Sequence, residues 1–294
     1  MKHLFLIITG FTLFISCEKE IVLPENDSKP QVVVNCMFAA DSTWLITLSE
    51  SRALLNNDAL PYISNGTIKL LNDADLEIGE FIFDSEGKYR LSAPTPIVGS
   101  TYKIKVDVPG YETVSAAAYA PKMADIIAID TLSKPHIYAM SYDIKIQDQI
   151  NVANYYSVSI IGRSYWVDTE TMDTNVYEVS GITTAEPYVA NGYEDFETNE
   201  RYAEEFFFSD ELFDGDLISF KVIGSLITID NPGFYRVCIK SYSEAAYKYF
   251  VSLKKYEQAD GDFFAEPVQV ISNIENGLGI FGGYSTYADT LWTE

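Results

Sequence analysis

The sequence predicts a mainly β protein, in which an N-terminal β-sandwich is followed by a second β-rich domain with one helix. Short runs rich in β-branched and aromatic residues recur along the chain, and residues that favour turns separate them. The chain also contains 21 Tyr, 17 Phe and 3 Trp, which together make up 14% of its residues. Side chains of this kind suit the half-buried surface of a sheet.

Residues 1–16 are typical of a targeting signal that is removed from the mature protein. Lys2 makes the start positive, residues 4–15 are apolar, and the small Ser16 stands before Cys17. The apolar run is too short for a membrane-spanning helix, which needs about 20 residues. The string LFISC resembles a bacterial lipobox, so we expect cleavage before Cys17 and acyl chains such as palmitate on its thiol. An ordinary secretory signal with a chance cysteine is the alternative.

Residues 17–30 are predicted to form a lipidated tether. The segment from Ile21 to Pro30 is polar, contains two prolines and shows no periodicity. Glu18, Lys19 and Glu20 follow the cysteine, and Cys-x-Lys-Glu resembles the signal that Bacteroidota use to send lipoproteins to the outer face. This predicts an outer-membrane protein exposed on the cell surface. The alternative is a plain soluble tether on an anchor that faces the periplasm.

The balance of charge is strongly acidic. The formal net charge is −23, and removal of residues 1–16 takes away only Lys2 among the charged residues, which gives −24. Such a surface repels phosphate backbones and anionic lipid headgroups. The sequence therefore argues against nucleic acid as a partner, and the lipid anchor is the predicted contact with a membrane.

Residues 31–120 are predicted to form the β-sandwich domain. Seven short strands at hairpin spacing, separated by turn dipeptides such as Asn65-Gly66 and Pro109-Gly110, indicate a sandwich of immunoglobulin-like or transthyretin-like kind. Pro121 is the predicted boundary. The strand candidates are QVVVNCMF, TWLITLS, GTIKLLN, GEFIFD, KYRLSA, TYKIKVDV and TVSAAAYA.

Residues 121–294 are predicted to form the second β-rich domain. The stretch from Asp168 to Arg201 is acidic and weakly patterned, so we expect a long loop or a hairpin insertion there. A helix is predicted at about 243–258, with Ser243 as N-cap and Glu244 in the first turn. The clearest strand candidates are MSYDIKIQD, NYYSVSIIGRSYWVDT, EEFFFSD, DLISFKVIG and GFYRVCIKSYS.

Cys36 and Cys238 lie in the strand-like runs VVVNCMF and FYRVCIK. A free cysteine in such a run behaves as a small buried hydrophobe. A bridge between the two in an oxidising compartment is the alternative.

No catalytic residues are predicted. Gly277, Gly279 and Gly282 match the spacing of a dinucleotide fingerprint, but that motif requires a helix after it and an acid about 20 residues on. Only twelve residues follow Gly282, so we interpret the segment as a glycine-rich turn between aromatic strands. His136 is the one histidine of the mature chain, and neither HExxH nor CxxC occurs, so neither a serine-hydrolase triad nor a zinc site is indicated.

No cofactor and no metal site is predicted, and the possible exception is calcium, since Ca²⁺ takes hard oxygen ligands of the kind that acidic loops offer. Weak candidates are Asp210, Asp214 and Asp216, and the NDADLE loop around Asp73 and Asp75. Neither group follows the EF-hand pattern. The same acids leave open a carboxylate-dependent glycan hydrolase, which needs only a pair of carboxylates.

Five aromatic residues in or beside the insertion are the predicted contacts for a ligand or partner. Tyrosine and tryptophan rings make large, stiff contacts that keep a polar handle, which suits protein interfaces and sugar stacking alike. Packing in a β-rich core is the alternative use of the same side chains. The candidates are Tyr165, Trp166, Tyr188, Tyr193 and Phe196.

The segment SYSEAAYKYFVSLKKYEQADGDFFAEPVQVISNIENGLGIFGGYS resembles the closing part of DUF4249, a family of Bacteroidota cell-envelope lipoproteins of unknown function. FFFSDELFDGD, GSTYKIKVDVPGYETVSAAAYAP, the lipobox and the VVNC start also fit, so the resemblance covers nearly the whole mature chain. It implies an accessory to nutrient import, because genes of this family tend to lie beside TonB-dependent outer-membrane receptors. Only Cys17 maps to a defined role.

We therefore expect a non-enzymatic accessory or binding lipoprotein that is associated with a TonB-dependent receptor. The missing catalytic motifs, the anchor and the two β-rich domains favour this interpretation. The alternatives are a surface glycan hydrolase that uses two carboxylates, and a structural adhesin or envelope-assembly protein.

Overall fold

The structure, a computed structural model, describes residues 29–53, 58–136, 139–168, 170–225, 233–259, 265–266 and 268–293. Nineteen strands and one helix within these ranges confirm the predicted mainly β class. The helix α1 spans Glu244–Ala259. The strands are β1 Val32–Ala39, β2 Trp44–Glu50, β3 Thr67–Asn72, β4 Glu77–Glu80, β5 Ile82–Ser85, β6 Lys88–Leu91, β7 Thr101–Asp107, β8 Val114–Tyr119, β9 Asp125–His136, β10 Ala139–Gln147, β11 Tyr155–Val167, β12 Thr174–Ser180, β13 Ile182–Thr184, β14 Tyr193–Asp195, β15 Glu200–Ala203, β16 Glu205–Ser209, β17 Leu217–Ser225, β18 Gly233–Tyr242 and β19 Leu278–Thr293.

These strands form three sheets. The largest, here called the long sheet, has the strand order β12-β11-β18-β19-β1-β2-β6-β5, and β16 also pairs with β11. The N-terminal sheet has the order β4-β3-β7-β8, and the C-terminal sheet has the order β14-β15-β13-β17-β10-β9. Each smaller sheet shares a hydrophobic core with one end of the long sheet. The predicted sandwich-like organisation, with a helix in the C-terminal region, is therefore confirmed.

The first core lies between the N-terminal sheet and the β19-β1-β2-β6 part of the long sheet. Burial alternates along β1 and β7, as it does in strands that turn one face to a core. Trp44 is fully buried, and its indole Nε1 donates a hydrogen bond to the carbonyl oxygen of Pro94 at 2.7 Å. Its ring lies beside those of Phe38 and Phe281, with centroids 4.7 and 6.3 Å away.

The second core lies between the C-terminal sheet and the β16, β11 and β18 strands of the long sheet. Phe208 of β16 and Phe220 of β17 are fully buried and stack with ring centroids 5.0 Å apart. Burial of each such ring contributes roughly 1.5–3 kcal/mol relative to leaving it exposed. Aromatic packing across the two layers therefore holds this end of the chain together.

Strand β19 belongs to both sandwiches. Residues 278–284 pair in parallel with β1, and residues 284–293 pair antiparallel with β18. Phe281 is buried in the first core, and Leu291 packs against the second. A division of the chain after residue 120 therefore leaves out a strand that completes the N-terminal sandwich.

The glycine-rich segment is part of β19, which corrects the prediction that it forms a turn. A Cβ atom at Gly283 would lie 2.1 Å from the carbonyl oxygen of Tyr119, and one at Gly282 would lie 2.8 Å from the Cβ of Ala246. At Gly282 and Gly283, strand β19 thus passes between β8 and α1 with no room for a side chain. Glycine is required here for close approach of the backbones.

Helix α1 agrees with its predicted bounds to within one residue at each end. Ser243 precedes it, and its Oγ accepts hydrogen bonds from the backbone N–H of Ala246 at 3.4 Å and of Gly283 at 3.2 Å. Phe250 stacks on Phe207 of β16 with centroids 6.0 Å apart. The helix therefore covers part of the outer face of the long sheet, opposite the second core.

The segment from Asp168 to Arg201 is built from hairpins. Within it, β12 extends the long sheet, and β13 and β14 belong to the C-terminal sheet, where they are joined by β15. Of the two predictions for this segment, the hairpin insertion describes it and the long loop does not.

The two described cysteines are free thiols. Cys36 is buried in the first core, and burial raises the pKa of its thiol. Cys238 is half-buried on the outer face of the long sheet, and burial raises its pKa as well. A bridge between them is not formed, and Cys36 acts as a small core hydrophobe.

Candidate functional site

Three aspartates from two loops, the one after β10 and the one between β16 and β17, meet beside the second core. Asp148 follows β10, Asp210 follows β16, and Asp214 lies in the turn before β17. Each of the three offers a carboxylate oxygen, and these oxygens lie within 4.8 Å of one another. Asp148 and Asp210 are buried, whereas Asp214 is exposed. We call this group the aspartate cluster.

Hydrogen bonds hold the buried carboxylates in place. Asp148 accepts from the Tyr156 hydroxyl at 2.5 Å and from the backbone N–H of Gly215 at 2.8 Å. Asp210 accepts from the backbone N–H and the side-chain amide of Asn154 at 2.7 and 3.2 Å. The cluster therefore links the loop after β10 to the loop after β16.

Burial and charge repulsion act on the protonation of this cluster. Burial raises the pKa of Asp210, the hydrogen bond from Asn154 opposes the rise, and the charge of Asp148 adds to it. Burial, followed by the hydrogen bond to Asp148, raises the pKa of Tyr156. Among the ion pairs of the described residues, none includes a member of the cluster. A proton or a cation would therefore relieve the repulsion.

The predicted calcium ligands coincide with this cluster only in part. Asp210 and Asp214 come together, but the third member is Asp148 and not Asp216. Calcium takes about six to eight oxygen ligands, so three carboxylates would supply only part of its coordination. In the other predicted location, Asp75 is already paired with Lys103 at 2.7 Å. The absence of a cofactor, with calcium as the possible exception, stays a prediction.

The predicted aromatic contacts do not form one surface. Tyr165 is half-buried and lies near Phe234, with ring centroids 6.4 Å apart, and the side chain of Trp166 lies outside the described part. The prediction that Tyr188 contacts a ligand or partner is corrected, because its ring packs against the second core. It contacts the rings of Phe208, Phe213 and Phe220.

Tyr193 and Phe196 lie on the β14–β15 hairpin, where they are 61% and 87% exposed. Tyr193 pairs across the hairpin with Tyr202, which is 48% exposed. Residues directly opposite each other in an antiparallel pair lie on the same face. The side chains of Tyr193 and Tyr202 therefore leave the hairpin from the same face.

A cleft of about 240 Å³ separates these rings from the C-terminal end of α1, and we call it the hairpin cleft. It is bounded on the hairpin side by Tyr193 and Tyr202, and on the helix side by Lys254, Glu257 and Gln258. Lys254 and Glu257 form an ion pair at 2.8 Å. The cleft thus combines aromatic rings with charged and amide groups.

Glu205 lines the same cleft, and its carboxylate accepts hydrogen bonds from three side chains. Its Oε1 accepts from the Ser157 hydroxyl at 2.5 Å, from Lys240 Nζ at 3.0 Å and from the Tyr242 hydroxyl at 3.2 Å. Burial lowers the pKa of Lys240, but Tyr242 and Glu205 more than offset this, so its pKa is raised. Lys240 is therefore positively charged at neutral pH, and the three hydrogen bonds fix the carboxylate of Glu205 in one orientation.

Sequence reasoning missed Tyr202 and Glu205. The string YEDFETNERY has a tyrosine at each end of a polar turn, and this pattern indicates a hairpin in which the two tyrosines lie opposite each other. Glu205 gave no comparable signal, because its partners Ser157 and Lys240 come from strands distant in sequence.

Two acidic side chains of the β14–β15 hairpin form interactions within the hairpin itself. Glu194 is 3.9 Å from Arg201 in a cross-strand ion pair. Asp195 accepts a hydrogen bond from the backbone N–H of Glu197 at 2.9 Å, and this bond lowers the pKa of Asp195.

Cys17 and the export residues Glu18, Lys19 and Glu20 lie outside the described residues. His136 ends β9, and its side chain lies outside the described part. Within the described ranges, no helix combines the length and the apolar character that crossing a bilayer requires.

Comparison with known proteins places the chain in a family. In solved structures it is similar to a two-domain fibronectin type-III segment from chicken tenascin, at 13% identity over 72% of this chain and 91% of that chain, with a TM-score of 0.21. Among curated proteins, none matches. A family model described as a domain of unknown function, DUF4249, matches residues 18–290. Because this match spans most of the sequence, the chain belongs to the DUF4249 family.

Proposed function

We propose that this chain is a lipid-anchored protein on the surface of the outer membrane, where it serves a TonB-dependent receptor as a non-enzymatic accessory or binding component in nutrient uptake. The observation that carries the proposal is the lipobox that ends at Cys17, directly before the family match begins at residue 18. Stable anchoring takes two acyl chains or more.

Exposed apolar side chains support a role in binding. At the tip of the β11–β12 hairpin, Val167, Met172 and Val176 are 53%, 75% and 56% exposed. Exposed apolar groups that lie together commonly mark a surface for a protein partner. We therefore favour this hairpin tip as the contact with the receptor.

The central test is purification of the tagged chain from its native membrane in a mild detergent, followed by identification of the proteins recovered with it. A receptor barrel in stoichiometric amount is the expected result. Met172→Lys should reduce its recovery, whereas Leu76→Lys, at a site 64% exposed in the N-terminal domain, should not. Recovery of the chain alone, with glycan cleavage lost in Asp214→Asn, would support a hydrolase instead.

The anchor and its location have their own tests. Mass spectrometry should show acyl chains on Cys17, and Cys17→Ser should release the protein from the membrane fraction. Protease should reach the wild-type chain on intact cells but not the variant with Lys19 and Glu20 changed to alanine. Protection of the wild type would contradict surface exposure.

A further inference from the structure

We infer that the hairpin cleft is a binding site for one sugar ring, a neutral pyranose held between Tyr193 and Tyr202 on one side and α1 on the other. This goes beyond the proposed function, because an accessory protein can serve a receptor without binding a ligand itself.

The exposed tyrosine rings provide an apolar platform. Tyr193 and Tyr202 border the cleft, and they are 61% and 48% exposed. A ligand in the cleft could therefore cover them. A tyrosine presents an apolar ring with a polar tip, and a pyranose presents C–H faces with hydroxyls around its rim. The two shapes are complementary.

Polar groups on the other walls match a ligand with many hydroxyls. Lys254 offers donors only, Gln258 offers both donors and acceptors, and Glu204 and Glu205 offer acceptors only. Ser157, Lys240 and Tyr242 all bind Oε1 of Glu205. Within the described residues Oε2 of Glu205 accepts no hydrogen bond, so an acceptor in a fixed position borders the cleft.

The charge of the cleft favours a neutral ligand over an ion. Glu204, Glu205 and Glu257 line the cleft with three formal negative charges and Lys254 lines it with one positive charge. Lys240 lies outside the lining and is paired with Glu205, and with it the formal sum is −1. Both lysines already bind carboxylates. A phosphate or a carboxylate ligand would be repelled, and a cation would meet the Lys254 ammonium.

The size of the cleft limits the ligand to a single ring. Sites for drug-sized molecules measure about 300–1,000 Å³, and the cleft measures about 240 Å³. Longer glycans would bind through one residue and extend into solvent.

The test is saturation-transfer NMR on the full chain in a detergent that has no sugar headgroup. The probes are D-glucose, D-galactose, D-mannose, D-xylose and N-acetyl-D-glucosamine, with choline as a cationic comparison. At least one sugar should receive saturation on its ring protons. Tyr193→Ala and Tyr202→Ala should each weaken its binding by about twofold to tenfold.

The matched control is Tyr177→Ala, which removes a tyrosine that is 53% exposed outside the cleft and should leave binding unchanged. If a tyrosine variant misfolds, Glu204→Gln and Gln258→Leu at the rim replace it, and weaker sugar binding is again expected. The inference is overturned if none of the five sugars binds, if only choline binds, or if Tyr177→Ala has the same effect as the cleft variants. None of these results would alter the receptor recovered in the purification experiment, so the two proposals fail separately.

Discussion

At the scale of single residues, the buried charge of Asp210 lowers the stability of the folded protein at neutral pH. It is 5% exposed, lies close to Asp148 and has no cationic partner among the described ion pairs. Burial and the neighbouring charge raise its pKa above the value it has in the unfolded chain. The folded state then holds its proton more tightly, so stability falls as the pH rises from the unfolded pKa to the folded one.

Asp210→Asn should therefore stabilise the protein at neutral pH. The amide oxygen of asparagine can still accept the hydrogen bond from the Asn154 backbone N–H, while the buried charge is removed. We expect a melting temperature higher by a few degrees at pH 7, since about 1 kcal/mol corresponds to about 2–4 °C in a chain of this size. The difference should shrink on acidification, because both side chains are neutral below the unfolded pKa.

The control is Asp216→Asn, which removes an exposed carboxylate outside the cluster and should leave the melting temperature unchanged. Both variants are melted in chelator and again with calcium. A destabilised Asp210→Asn in chelator would contradict the electrostatic argument. Calcium that stabilises the wild type but not Asp210→Asn would support the predicted ion site.

The aspartate cluster also shows what sequence can reveal about a site. Asp210 and Asp214 stand close together in FFFSDELFDGD and could be singled out as a pair. Asp148 could not, because it joins them only through the packing of two loops far apart in sequence. Tyr188 was misjudged for a related reason, since a loop residue gives no sign that three phenylalanine rings will surround it.

At the scale of elements, alternation of apolar and polar residues was a reliable guide. The predicted strands in TYKIKVDV and GFYRVCIKSYS match β7 and β18 to within one residue. GEFIFD was predicted as one strand but is divided between β4 in the N-terminal sheet and β5 in the long sheet. The chain changes sheets at the buried Phe81, and local sequence does not encode that change.

Strand β19 escaped sequence prediction because glycine is a poor strand former. Glycine is needed in this strand because the gap between β8 and α1 is too narrow for a side chain. Gly283→Ala should therefore lower the free energy of unfolding by about 1–3 kcal/mol, the usual cost of forcing extra atoms into a packed site. Urea denaturation measures this loss.

Gly224→Ala in β17 is the matched control, because the new Cβ would meet Ile160 at 3.4 Å, an ordinary van der Waals contact. It should change stability much less than Gly283→Ala does. Equal losses in the two variants would mean that chain flexibility, and not the gap beside Tyr119, explains the glycine.

The start of α1 is tied to the same strand. The Ser243 hydroxyl accepts from the backbone N–H groups of Ala246 and Gly283, so it caps the helix and fixes β19. Ser243→Ala should cost about 1–2 kcal/mol, because the helix loses its cap and a buried donor loses its partner. Ser85→Ala, at an exposed position in β5, is the control and should cost less than about 0.5 kcal/mol in the same urea titration.

At the scale of the whole molecule, the two sandwiches depend on one C-terminal strand. Strand β19 pairs with β1 along residues 33–39 and places Phe281 against Trp44 in the first core. Asn273 adds a hydrogen bond to the carbonyl oxygen of Ala117 at 3.1 Å, at the outer edge of β8. The N-terminal sandwich is thus completed by residues that come last in the chain.

A fragment of residues 29–120 should therefore fail to fold alone. Loss of β19 would leave β1 as an unpaired edge and expose one side of the Trp44 cluster, and such edges aggregate. We expect an insoluble product, or a soluble one with no cooperative thermal transition by circular dichroism. Joining residues 272–286 after Ala120 through a glycine-serine linker should restore the transition, because Asn273 lies beside β8 and the linker has a short distance to cover. A cooperative transition in the fragment without this addition would show that residue 120 ends an independent domain, and that β19 is an accessory strand there and not part of the folding unit.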